Sequence, residues 1–103
     1  MRDLILLRHA HAEPPAPWQD DAHRPLSAVG HSEATAAGQW LREHALLPTR
    51  VLCSPAARAS QTLSALGALG CDDVREEPSI SDADPGTLAA LVDAHRDAER
   101  LMI

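Results

Sequence analysis

Short apolar runs that alternate with helical stretches, each boundary marked by proline or a capping residue, restrict this chain more than any other feature. Leu4-Ile5-Leu6-Leu7 is a continuous apolar run, as expected of a strand covered on both faces in a parallel sheet. Leu26, Gly30, Ala34, Ala37, Leu41 and Ala45 recur at spacings of 4, 4, 3, 4 and 4, which puts them on one face of a helix. Ser27 is suited to cap that helix and Pro48 to stop it. Val51-Leu52-Cys53 reads as a second strand. Ser54-Pro55 then supplies a cap followed by proline at the first helical position, for a helix that turns Leu63, Leu66 and Leu69 inward and ends near Gly70. Asp73 to Glu76 reads as a weaker third strand. Asp84-Pro85 repeats the cap-proline signal ahead of Leu88, Leu91 and Val92. Leu101-Met102-Ile103 opens a fourth strand. Strand and helix alternating in this way predict an α/β fold with a mostly parallel sheet.

The 103 residues show no internal repeat and no change of composition, so residues 1–103 read as one domain. Phe and Tyr are absent and there are 2 Trp, so the core must come from Leu, Val, Ile and Ala. Small side chains bury little area each, which predicts limited stability. No apolar run approaches the roughly 20 residues that cross a bilayer, and Leu4–Leu7 is too short for the apolar part of a signal peptide. Cys53 and Cys71 match no metal or redox spacing, which fits a reducing cytoplasm. A formal charge of −6 argues against non-specific binding to nucleic acid or to an anionic membrane.

The residues suited to chemistry fall where an open α/β sheet gathers them, beyond the carboxyl ends of its strands. Arg8-His9 follows the first apolar run directly, and Arg58 lies in the first turn of the helix after the second. Two guanidiniums, an imidazole and the free N–H groups of a helix start suit a phosphoryl group, because arginine presents planar paired donors and the helix dipole favours an anion. A neutral imidazole there can act as nucleophile. Either motif alone is more often structural; the two in this order are specific. His9, His11 and Glu13 lack a third ligand at helical spacing, so no metal is expected, and His11 is placed at the pocket mouth. His23, His31, His44 and His95 read as surface residues, Glu33 and Glu43 as the polar face of the first long helix, and Cys53 as a small buried apolar residue. The segment from Ala10 to Pro25 is long for a loop, hence functional or disordered.

These motifs resemble the histidine phosphatase superfamily, which includes the phosphoglycerate mutases. Leu6-Leu7-Arg8-His9-Ala10 is similar to its Arg-His-Gly signature, with alanine at the third position. Ser54-Pro55-Ala56-Ala57-Arg58-Ala59-Ser60-Gln61-Thr62 resembles its Ser-Pro-x-x-Arg-x-x-Gln-Thr segment. Arg24-Pro25-Leu26-Ser27-x-x-Gly30 resembles an element of its small SixA-type phosphohistidine phosphatases. The resemblance implies a three-layer α/β/α domain of phosphoglycerate-mutase type and a nucleophilic His9 that becomes phosphorylated and is then hydrolysed by water. It implies that Arg8 and Arg58 hold the phosphoryl oxygens. Arg24 adds either a further substrate contact or a structural tie at the helix entrance. No cofactor is implied. The implied substrate is a phosphohistidine on a partner protein, since the short loops leave no room for the inserted cap that larger members use on small substrates. A small phosphorylated metabolite, or phosphate binding without turnover, are the alternatives.

The resemblance also sets expectations for what departs from the pattern. Asp82, in Ile80-Ser81-Asp82-Ala83, falls where relatives often place a glutamate, and is either the acid for the leaving group or an ordinary loop carboxylate before the Asp84 cap. The family's second catalytic histidine sits in a Gly-His motif just after the fourth core strand. The chain is therefore expected to represent the N-terminal portion of such a domain. Its fourth strand would then lack part of its neighbourhood, leave a sheet edge and an apolar face open, and allow only slow hydrolysis.

Overall fold

In the computed structural model, which describes residues 2–81 and 83–103, Leu101 and Met102 are the most enclosed points of the sheet, 0% and 2% exposed. They belong to the last of four strands: β1 Asp3–Ile5, β2 Arg50–Cys53, β3 Val74–Glu76 and β4 Arg100–Met102. The order across the sheet is β1-β4-β2-β3, and every pairing is parallel. Leu4 pairs with Leu101, and Val51 lies between Met102 and Val74. The helices are α1 Ala28–Glu43, α2 Ala57–Ala65 and α3 Pro85–Ala94, with single 3-10 turns at Asp21–His23 and Pro78–Ile80.

Two apolar clusters define three layers. Leu41 of α1, Leu66 and Leu69 after α2, and Val51 and Met102 of the sheet form one, with Ile5 and Leu7 packed against it. Leu52, Ala98 and Leu101 form the other, with Leu91 and Val92 of α3 packed against them. The arrangement is α/β/α. The core is aliphatic as expected, and both tryptophans lie outside it: Trp18 is 88% exposed and Trp40 51%.

The fourth strand departs from expectation. Inserted between β1 and β2 and covered on both faces, β4 has no open edge. Openness lies at the two edge strands instead: Leu4 of β1 is 42% exposed, Leu6 just past it 64%, and Val74 of β3 49%. Ile5 and Leu7 point to the layer of α1 and α2, whereas α3 packs over β2 and β4 and leaves the other face of β1 uncovered. The Leu4–Leu7 run is thus a strand buried on one face, not two.

Helix boundaries differ for local reasons. Ser27 does cap α1, its hydroxyl accepting the Gly30 N–H at 3.0 Å. Leu26 precedes the cap and Ala45 follows the helix. There the Leu46 N–H reaches the Leu41 carbonyl at 2.9 Å and Ala45 takes φ 53°, closing α1 with a left-handed residue. Ser54 does not cap α2. Its hydroxyl accepts from Ala56 N at 3.2 Å and meets the Ser81 hydroxyl at 2.8 Å, and the helix starts at Ala57. It ends at Ala65, and Gly67 with φ 82° turns the chain, so Leu69 reaches the core from a loop. Asp84 caps α3 as read, its carboxylate accepting the Thr87 N–H at 2.8 Å, which holds its carboxyl below the usual range.

At the amino end of β2, Arg50 is 8% exposed and fully engaged. It donates to both oxygens of Asp97 at 2.8 Å, to Asp73 at 2.8 Å and to Nδ1 of His95 at 3.2 Å. His95 is therefore half-buried in an ionic cluster and not a free surface residue. Hydrogen bonds from Arg50 hold Asp97 down to about 2 and lower Asp73 as well. This cluster lies at the amino ends of the strands, opposite the residues described next.

Candidate active site

The sheet ladder continues past β1 and carries the Arg8-His9 segment to the carboxyl ends of the strands. Ile103 N donates to Ile5 O, and Leu7 N to Ile103 O, both at 2.9 Å. The half-buried His9 follows two residues later. Its Nδ1 lies 2.8 Å from the carbonyl of Ala10. A carbonyl only accepts, so Nδ1 carries the proton and Nε2 of the neutral ring keeps its lone pair.

Two cavities meet at Arg8 and His9. The first, about 220 Å³, is walled by Leu7, Cys53, Ser54, Ala56, Arg58 and Ser81, among others. The second, about 540 Å³ and more polar, is lined by Ala10, His11, Ala12, Arg24 and Glu33 as well as Arg8 and His9. The structure thus brings Arg8, His9 and Arg58 to one cavity, and Arg8, His9 and Arg24 to the other. Asp82 lies outside the described residues.

Arg58 sits in the first turn of α2, whose start has no side-chain cap because the Ser54 hydroxyl is used elsewhere. The positive end of the helix dipole and its leading N–H groups are left at the cavity wall formed by Ala56 and Arg58. Arg58 is 14% exposed, and its Nη2 lies 3.0 Å from Asp21 Oδ2. Arg24 is 23% exposed, with Nε 3.1 Å from Asp21 Oδ1. Cys53 is half-buried, and burial pushes its thiol up, which keeps it a protonated wall residue.

Buried hydroxyls and an amide tie the loops together. Thr62 Oγ1 accepts the Ala10 N–H at 3.0 Å, and Gln61 Oε1 accepts that of Leu26 at 2.8 Å. Ser27 Oγ donates to the His11 carbonyl at 3.1 Å, so its 2.7 Å contact with His11 Nδ1 is one in which the imidazole donates. The segment from Ala10 to Pro25 is accordingly built: Ala12 bridges Leu26, and Glu13 N donates to Pro25 O at 2.8 Å. His11 does line the mouth of the second cavity.

Glu33, which lines the site, and Asp21, which pairs with two of its arginines, are residues that the apolar pattern of the sequence does not mark. Glu33 is not filler on a polar face: it lines the second cavity and accepts the His11 N–H at 3.2 Å. Asp21 precedes Arg24 by three residues, a spacing that permits an ion pair and was the available signal. Among the described residues, no three His, Cys, Asp or Glu side chains converge as a metal site. No described helix is long and apolar enough to cross a membrane.

Comparison with known proteins bears on the family and the fold. The sequence model of the histidine phosphatase superfamily (branch 1) matches residues 4–101. A Mycobacterium leprae protein is 36% identical over 94 residues, 88% of this chain. Matches to curated relatives take in between 31% and 57% of those relatives' own lengths. Among solved structures, the SixA protein of Agrobacterium tumefaciens superposes with a TM-score of 0.90 at 29% identity, covering 96% of this chain and 65% of that one. The protein histidine phosphatase SixA in complex with tungstate gives 0.81 at 27%, with the same coverage.

Proposed function

Since the chain belongs to the histidine phosphatase superfamily (branch 1) and has the phosphoglycerate-mutase-like fold of SixA, we propose that it is a phosphatase acting on phosphohistidine of a partner protein. The observation that carries this reading is His9 with Nδ1 tied to the Ala10 carbonyl, beside Arg8 at the junction of two cavities that also hold Arg58 and Arg24. The tungstate complex of the similar SixA supports an oxyanion site.

In this mechanism the Nε2 lone pair of His9 attacks phosphorus in line with the leaving nitrogen. A P–N bond forms to His9 as the P–N bond to the substrate imidazole breaks, and the leaving imidazole keeps that electron pair and takes a proton. Asp82 is the candidate donor of that proton. Arg8 and Arg58 hold the phosphoryl oxygens, with Arg24 on the flank, and their charge offsets the charge of the transferring group. Water then attacks the phosphoenzyme, releasing orthophosphate and restoring His9. An open cleft suits a protein surface, whereas a small phosphorylated metabolite is the competing substrate class.

The test is labelling with a ³²P-phosphohistidine protein, beside a panel of phosphomonoesters. The phosphohistidine protein should label the wild type through an acid-labile bond, and His9→Ala should take no label. Labelling of the variant at the wild-type level overturns His9 as nucleophile. Preferential turnover of a phosphomonoester moves the substrate class to small metabolites.

A further inference from the structure

One carboxylate joins the two arginines that flank His9 from separate cavities. Asp21 Oδ1 is 3.1 Å from Arg24 Nε, and Oδ2 is 3.0 Å from Arg58 Nη2. The Asp21 backbone carbonyl adds a second hold, accepting from Arg58 Nη1 at 2.8 Å. Both guanidinium side chains are largely enclosed, whereas Asp21 is 69% exposed and lines neither cavity. The buried Nε of Arg24 makes no hydrogen bond, so its contact with Asp21 is an ion pair without an aligned N–H.

Building on the phosphoryl-binding reading above, we propose that Asp21 is a positioning residue that sets the orientation of Arg58, and keeps Arg24 beside it, for binding a phosphoryl group. A guanidinium carries five N–H groups in a rigid fork. Asp21 engages one on each of the two terminal nitrogens, fixing the plane of the fork from outside the cavity. The other N–H groups stay available on the side that lines it. A long side chain held in this way has less freedom to lose when an anion arrives. The shared carboxylate also offsets the repulsion that would push two neighbouring cations apart.

Simple charge arithmetic gives the opposite sign, which makes the idea testable. Removing Asp21 makes the surroundings more positive and, through the field alone, would tighten anion binding. Positioning requires the reverse. Orthophosphate binding, measured by calorimetry on the wild type, Asp21→Ala, Arg58→Ala and the double variant, separates the two. We expect Asp21→Ala to weaken orthophosphate on the order of tenfold, as for one lost charge-assisted contact. In the Arg58→Ala background the same change should cost less than about twofold, because its route is through that guanidinium. Equal or tighter binding by Asp21→Ala, or an undiminished loss on top of Arg58→Ala, overturns the proposal while leaving the phosphatase reading in place. A wild type that binds no orthophosphate overturns the phosphoryl site itself, and this proposal with it.

Discussion

Thr62 stands between the two halves of the site: its hydroxyl takes the Ala10 N–H at 3.0 Å and gives its own proton to the Arg58 carbonyl at 2.6 Å. One buried oxygen, on a residue 4% exposed, thereby links the loop of His9 to the helix of Arg58.

Replacing Thr62 by valine keeps the shape and deletes both bonds. The Ala10 N–H then loses its partner in a half-buried place, at a cost of about 1–3 kcal/mol. Urea titration should show that loss, with Thr62→Ser recovering part of it. Orthophosphate affinity should fall in the valine variant and return in the serine variant. Unchanged stability in Thr62→Val would contradict the link.

Gly38 and Gly30 are points of close approach. A methyl on Gly38 would meet the carbonyl oxygen of Leu66 and come within 2.7 Å of its carbon, forcing α1 from the backbone after α2. On Gly30 it would meet the His11 carbonyl, whose carbon is 3.0 Å away. Both alanine variants should lose about 1–3 kcal/mol of stability in denaturant titrations. Only Gly30→Ala should also weaken orthophosphate binding, because His11 belongs to the cavity lining. Comparable weakening in Gly38→Ala would contradict that division.

Ala45 holds a left-handed conformation, φ 53°, where glycine carries no Cβ penalty. Ala45→Gly should raise stability by about 1 kcal/mol, seen as a higher thermal midpoint. A lower midpoint would show that the strain is relieved elsewhere.

Acid should loosen the amino end of the sheet before it reaches the core. Folding lowers the Asp97 carboxyl from 3.8 to about 2 through its hydrogen bonds to Arg50. The stabilisation is therefore complete above pH 4 or so, and drains away as pH falls toward 2. Asp97→Asn should lower stability at pH 7 and flatten its decline across that window. Parallel pH profiles for the two proteins would rule the pair out as a source.

Signals that act within four residues were legible in the sequence. Asp84 caps the turn that starts at Pro85, and Ser27 caps Gly30, because each bond is closed by a neighbour. The gathering of Arg8, His9 and Arg58 was legible as well, since strand ends in a parallel sheet face one way. What failed depended on partners far along the chain. Ser54 has the form of a cap, but Ser81, 27 positions on, engages its hydroxyl. The run Leu4–Leu7 has the composition of a strand buried on both faces, yet its place at the sheet edge is set by β4, about a hundred residues later. Asp21 and Glu33 belong to no apolar period: Asp21 opens a single 3-10 turn and is marked only by its three-residue spacing to Arg24, and Glu33 lies on a helix face rich in polar residues.

β4 contributes no charged group to the site, yet it stands between the two strands that lead to the residues that do. The loop bearing His9 and the helix bearing Arg58 follow β1 and β2, which are not hydrogen-bonded to each other but each to β4. Two inter-strand spacings, about 9.6 Å, separate those strands, so the width of the cleft is the width of one intervening strand. The pairing of Leu4 with Leu101 also closes the longest span of sequence in the sheet, a slow event in folding. Helices α1 and α2, and the Ala10–Thr62 contact, can form before it; the separation of β1 from β2 cannot be fixed until it has formed. The width of the cleft is therefore set by the pairing that spans the most sequence, not by the residues that line it.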